Sequence, residues 1–125
     1  IDNSNAFRMD AGINLVVPEV NGNLLNSDSK PQIIANPNCS TIQLVVVLKP
    51  LMDQFGIEDV TVATYQAVSG SGLPGYEELL NQTKNYQEAD HTPKAFSKQI
   101  LFNCIPQIGS FGADGFSTEE SKIMN

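Results

Sequence analysis

The stretch Gln32-Ile33-Ile34-Ala35-Asn36-Pro37-Asn38-Cys39-Ser40-Thr41 constrains this chain more than any other part of it. Ile33 to Ala35 reads as a strand that stops at the Asn-Pro turn signal. From Thr41 to Phe55 the apolar residues Ile42, Val45, Val46, Leu48, Leu51 and Met52 recur as in a buried helix. Pro50 should kink or shorten that helix, and Gly56 should stop it. A cysteine at such a junction has its sulfur near unpaired backbone N–H groups and the positive end of the helix dipole, a place that favours an anion. The thiolate is the nucleophilic form of cysteine. An arbitrary cysteine at a helix start is by default a small packed hydrophobe. Here the polar neighbours Asn38, Ser40 and Thr41 argue for a built site, and Cys39 reads as a nucleophile.

Elsewhere the elements are short. Leu15-Val16-Val17 is an apolar run closed by Pro18-Glu19, and residues 21–32 carry polar turn chemistry. Val60 to Tyr65 alternates and is β-branched, so a strand is expected there. It leads into the glycine-rich turn Ser69-Gly70-Ser71-Gly72. A helix is expected from about Pro74 to Asn85 with Tyr76, Leu79, Leu80 and Thr83 on one face. Residues 86–93 read as a polar loop, and Ile100 to Ile105 as another strand. Ser117 or Thr118 should cap a helix whose first turn holds Glu119 and Glu120. The mixture is α/β or α+β, and periodicity carries the fold no further.

Composition narrows the class. Of 125 residues, 41% are hydrophobic and 17% charged, which indicates a globular chain with a usable core. The net charge of −7 offers no basic patch to neutralise phosphates, so a nucleic-acid partner is not expected. No apolar run approaches the roughly 18 residues of a membrane span, so no membrane partner is expected either. Cys39 and Cys104 give neither a disulfide framework nor metal-ligand spacing, and no metal is expected. Cys104 lies in an apolar segment and reads as a buried structural thiol. A reduced, cytoplasmic protein is the simplest reading.

Together these motifs resemble one family. Cys39 stands in Asn36-Pro37-Asn38-Cys39-Ser40-Thr41, and Gln66 follows in Thr64-Tyr65-Gln66-Ala67-Val68-Ser69-Gly70. With them come Asp2-Asn3-Ser4, Phe7-Arg8, Val16 to Asn21, Phe102 to Ile108 and Glu119-Glu120-Ser121-Lys122. In order and spacing they resemble the bacterial aspartate-β-semialdehyde dehydrogenases over nearly the whole chain, most weakly at residues 84–98. Two related groups differ at the cysteine. N-acetyl-glutamyl-phosphate reductases carry a Gly-Cys-Tyr-Pro-Thr type motif, and glyceraldehyde-3-phosphate dehydrogenases a Ser-Cys-Thr-Thr type motif; this chain has neither.

The resemblance implies a fold, a reaction and roles. Residues 1–38 would be the C-terminal part of a Rossmann-type NADP-binding domain. Residues 39–125 would be the N-terminal part of a mixed α+β catalytic and dimerisation domain, in a homodimer or tetramer. The implied reaction joins aspartate semialdehyde, inorganic phosphate and NADP to β-aspartyl phosphate through a cysteine thioester. In reverse it serves biosynthesis of diaminopimelate, lysine, threonine, methionine and isoleucine. Cys39 matches the nucleophile and Gln66 the glutamine that orients substrate without adding a charge. Arg8 and Lys122 match phosphate-binding cations, with Asn38 a neutral donor beside them. Glu119 matches the acid that binds the substrate's amino group, three residues before Lys122 and so on the same helix face. Ser69 and Gly70 match a segment that touches NADP, where glycine lets backbone approach the cofactor.

Without the resemblance, Glu119 and Lys122 would be a solvated surface pair and Gln66 a polar strand-end residue. His91, the single histidine, lies in the variable loop and reads as a surface residue; the family's acid–base histidine sits in a His-Ser-Glu type motif that this chain does not contain. That motif, the arginine before it and the Rossmann glycine motif are all absent, so the chain reads as an internal fragment, expected to be inactive and poorly soluble alone. Two other readings stand beside this one: a neighbouring acyl-phosphate reductase, and a non-catalytic paralogue or truncated product that binds partners or subunits.

Overall fold

A computed structural model describes residues 1–25, 32–87 and 92–124. His91 and the loop residues 26–31 lie outside them. The chain divides into two compact units, residues 1–60 with 111–125, and residues 61–110.

The first unit is organised around a small parallel sheet. Strand β1 (Asn14–Leu15) pairs with β2 (Ile34–Ala35), and Asp2 bridges Ala35 from the other side. Asp2 N–H donates to the Ile34 carbonyl at 2.8 Å, and Asn36 N–H to the Asp2 carbonyl at 2.8 Å. Ala35, flanked on both sides, is 0% exposed and forms the core with Val16 and Val17. A four-residue helix, α1 (Pro18–Asn21), follows with proline in its first turn, where no N–H is needed. The Asn21 side chain turns back, accepting from Val17 N–H at 2.8 Å and donating to the Leu15 carbonyl at 2.9 Å. Gly22–Leu24 then forms a 3-10 turn within the expected loop.

Helix α2 (Cys39–Phe55) begins at Cys39 itself, two residues before the expected start. Asn38 caps it, its side-chain oxygen accepting from Ser40 N–H at 3.0 Å and Thr41 N–H at 3.2 Å. Such a cap is worth about 1 kcal/mol. The helix runs through Pro50 to Phe55, so the expected shortening does not occur; the carbonyl that Pro50 leaves unpaired belongs to Val46, an exposed residue. Nor is α2 a buried helix. Its apolar residues surround most of the axis, and α1 and the helix at Thr118–Met124 cover only part of it, leaving Val47, Leu51, Met52 and Phe55 exposed.

The last helix of this unit, α4 (Thr118–Met124), follows a tight turn closed by Gly112 N–H to the Phe116 carbonyl at 2.8 Å. Gly115, at φ 85°, supplies the left-handed residue of that turn. Of the two caps expected for α4, Ser117 is the one used. Its hydroxyl accepts from Glu120 N–H at 3.3 Å, while Ser117 N–H donates to a Glu120 carboxylate oxygen at 2.7 Å. This reciprocal capping box satisfies two helix-end donors at once.

The second unit departs further from the sequence expectation. The segment from Val60 to Tyr65, which runs into this unit, is exposed and joins no sheet among the described residues, because a strand needs a partner and not only β-branched residues. Helix α3 (Gly72–Lys84) forms near its expected place, yet its buried face is Gly75, Glu78 and Gln82, with Tyr76, Leu80 and Thr83 exposed. These polar side chains serve as partners for the backbone of residues 94–101. Glu78 accepts from Lys94 N–H at 2.9 Å and from Ala95 N–H, and it also accepts from Gln82 Nε2 at 3.1 Å. Gln82 Oε1 accepts from Ile100 N–H at 3.2 Å and Leu101 N–H at 2.8 Å. The Gln82 bonds take the first two donors of the strand expected at Ile100–Ile105. The segment instead turns, Asn103 N–H to the Ile100 carbonyl at 3.0 Å, with Phe102 at φ 55°. Cys104 is consequently exposed, not buried. At Gly75 an added Cβ would lie 3.0 Å from the Phe96 ring and 3.0 Å from the Val68 carbonyl oxygen, so only glycine allows this close approach.

Two measurements follow from these contacts. Replacing Glu78 or Gln82 by alanine strands backbone donors and should cost about 1–3 kcal/mol each in denaturant unfolding, with faster exchange of the amides at 94–95 or 100–101 respectively. The Glu120 carboxyl is held below its ordinary pKa by hydrogen bonds from Ser117, the side chain first and the backbone second. A depressed folded-state pKa stabilises above the unfolded value, and that stabilisation is lost as pH falls through the folded one. The unfolding midpoints of wild type and Glu120→Gln should therefore differ at neutral pH and converge on acidification below the carboxylate range.

Candidate active site around Cys39

The first unit brings four of the sequence-derived site residues together. Cys39 is exposed at the first position of α2, directly after its cap. Glu119, in the first turn of α4, is 7% exposed, although glutamate is ordinarily solvated. Burying a carboxylate is costly unless donors replace its water. Here Asn38 Nδ2 donates across both of its oxygens, at 3.3 Å and 3.2 Å. The Ser40 hydroxyl donates to Oε1 at 3.0 Å. Lys122 Nζ faces Oε2 at 3.6 Å, an ion pair one helical turn long.

Asn38 therefore works at both ends of its amide. Its oxygen caps the helix that presents Cys39, and its nitrogen ties that cap to Glu119. Thr41 adds a further tie, its hydroxyl donating to the Lys122 carbonyl at 3.3 Å. The residues on either side of Cys39 all reach α4, and the cysteine between them stays exposed.

Arg8 lies in the same unit, half-buried. Its Nε donates to the Asn36 carbonyl at 2.8 Å and Nη2 to the Asn3 carbonyl at 3.1 Å. The Asn36 side chain also donates to Asn3 Oδ1 at 2.7 Å. Arg8 is thus fastened to the loop that leads into Cys39, and it forms no ion pair among the described residues.

The remaining site residues lie in the second unit. Gln66 is exposed, directly after Tyr65. Ser69 and Gly70 are exposed in the 3-10 turn Val68–Ser71 that precedes α3. An added Cβ at Gly70 would meet nothing within 4 Å, so the face of this turn is open. Among the described residues, no three or more His, Cys, Asp or Glu side chains are placed to hold a metal ion. No described helix is long and apolar enough to cross a membrane.

Sequence reasoning gave Ser40 and Thr41 no role of their own. Their partners in α4 are 79 and 81 positions away, and the only signal was a run of polar residues around a cysteine.

Comparison with known proteins gives the family of the chain. Over 126 residues the chain is 54% identical to the aspartate-semialdehyde dehydrogenase of Aquifex aeolicus, an alignment covering 99% of this chain and 37% of that protein. It is 50% identical to the enzyme of a Shewanella species, again over 99% of this chain and 37% of the relative. A crystal structure of aspartate semialdehyde dehydrogenase II from Vibrio cholerae, complexed with ASA, superposes with a TM-score of 0.90 at 49% identity, covering 98% of this chain and 37% of that one. The chain thus spans a little over a third of the length of these relatives. The family model described as "Semialdehyde dehydrogenase, dimerisation domain" matches residues 48–125, and the chain belongs to that family.

Proposed function

We propose that this chain is the active-cysteine segment of an NADP-dependent, phosphorylating aspartate-semialdehyde dehydrogenase. The observation that carries the proposal is the cluster at the start of α2: an exposed Cys39 whose flanking residues hold Glu119, with Lys122 beside it. Relatives of that name align over nearly the whole chain.

In this reading Cys39 attacks the aldehyde carbon of aspartate semialdehyde, giving a thiohemiacetal. Its oxidation leaves a thioester, with the hydride acceptor supplied by bound NADP. Phosphate oxygen then attacks the thioester carbonyl, forming β-aspartyl phosphate and returning the thiolate. Glu119 takes the substrate ammonium, an ion pair made stronger by its nearly buried setting. Lys122 and Arg8 take the phosphate, Arg8 with donors already oriented by backbone carbonyls. Asn38 offers a neutral donor beside the nucleophile, and Gln66 orients the substrate. The open turn at Ser69 and Gly70 fits a cofactor lying against backbone. Residues 1–38 are assigned to the end of the nucleotide-binding domain and 39–125 to the catalytic and dimerisation domain. The enzyme would act in the cytoplasm as a homodimer, or a tetramer built from it, in synthesis of the aspartate-derived amino acids. The 125-residue segment by itself is expected to be inactive, since it has no His-Ser-Glu motif to supply an acid–base histidine.

The test uses the full-length protein that carries this segment. Phosphate-dependent reduction of NADP should appear with aspartate semialdehyde and fall at least about a thousandfold in Cys39→Ser. Phosphate should slow alkylation of Cys39. Equal turnover of N-acetyl-glutamate semialdehyde would move the assignment to a neighbouring reductase. A Cys39 that is inert to alkylation, with no turnover, would favour a non-catalytic protein.

A further inference from the structure

We propose that Asn36 is a positioning residue for Arg8, its side-chain bond to Asn3 fixing the two carbonyls that aim the guanidinium. The proposal rests on the reading of Arg8 as a phosphate-binding cation.

Arg8 is held along one edge. Nε–H and one Nη2–H lie side by side in the guanidinium plane. They donate to the Asn36 carbonyl at 2.8 Å and the Asn3 carbonyl at 3.1 Å. The end of the group, Nη1 with the second Nη2 hydrogen, meets no partner among the described residues. Two phosphate oxygens can be taken there only in the plane that the two carbonyls set. Those carbonyls belong to residues 33 positions apart, so something must hold their spacing. Among the described residues, the last backbone bond joining the two stretches is Asn36 N–H to the Asp2 carbonyl at 2.8 Å. Past it the ladder ends, where paired backbone opens most readily. The bond that continues across is Asn36 Nδ2 to Asn3 Oδ1 at 2.7 Å. Asn36 also reaches toward the nucleophile. Its carbonyl is part of the peptide to Pro37, a buried residue two before Cys39, whose ring restricts the backbone. The Nε contact thereby sets where the guanidinium stands relative to the loop that presents the thiol.

The experiment compares Asn36→Ala, Asn3→Ala, the double variant and Arg8→Ala in the full-length protein that carries this segment. KM for phosphate, KM for aspartate semialdehyde, kcat and the phosphate concentration that half-protects Cys39 from alkylation are read for each. Loss of one hydrogen bond predicts that Asn36→Ala raises the phosphate KM and the half-protecting concentration about fivefold. KM for aspartate semialdehyde, and alkylation without phosphate, should stay within about twofold. Asn3→Ala removes the other end of the same bond, so it should match Asn36→Ala, and the double variant should be no worse than either. It also carries the test if Asn36→Ala does not fold. A lowered unfolding midpoint with an unchanged half-protecting concentration would make the tie merely structural and overturns the proposal. An equal rise in both KM values overturns it too. If Arg8→Ala raises the phosphate KM and neither asparagine variant does, the positioning role alone falls. If Arg8→Ala leaves it unmoved, the phosphate-binding reading of Arg8 falls with it.

Discussion

A nearly buried carboxylate is the constraint on which the Cys39 region depends. Glu119 cannot stay out of water unless donors surround it, and the donors come from the residues flanking Cys39. The start of α2 and the first turn of α4 are therefore one object, not two helix ends that happen to meet. Asn38 makes the coupling explicit, since the same amide that begins α2 also holds the acid of α4. The capping box of Ser117 and Glu120 has its place here too. A defined first residue of α4 fixes where Glu119 stands relative to the cap.

The two units solve the problem of buried polarity in related ways. In the first, side-chain donors surround a carboxylate. In the second, a carboxylate and an amide on α3 replace the partners that loop backbone would otherwise lack. Among the described residues no buried side-chain nitrogen or oxygen is left without a partner. Satisfying buried polar groups is thus common to both units.

Local signals in the sequence were legible where the cause is local. The strand ending at Ala35, the Asn-Pro turn, the helix after Cys39 and the cap at Ser117 all depend on residues within a few positions of each other. Glu119 and Lys122 on one helix face were legible for the same reason. Periodicity failed where burial is polar: in α3 the buried positions are Gly75, Glu78 and Gln82, which no hydrophobic pattern would select. It failed again at Val60–Tyr65 and Ile100–Ile105, because propensity does not supply a neighbouring strand and Gln82 already occupies donors in the second segment. Cys104 followed its segment out of the interior. Sequence alone had no means of joining Ser40 to a glutamate 79 positions away.

Arg8 has one more consequence. Two of its five N–H groups are spent on the carbonyls of Asn36 and Asn3, one of which belongs to the turn leading into α2. A long flexible side chain has thereby given up most of its rotamer freedom while the chain folds. An anion arriving at the remaining donors would not have to freeze the arginine, so more of the contact energy would remain as affinity. Lysine could not take over this arrangement, because it has no planar fork to hold two carbonyls and still face outward.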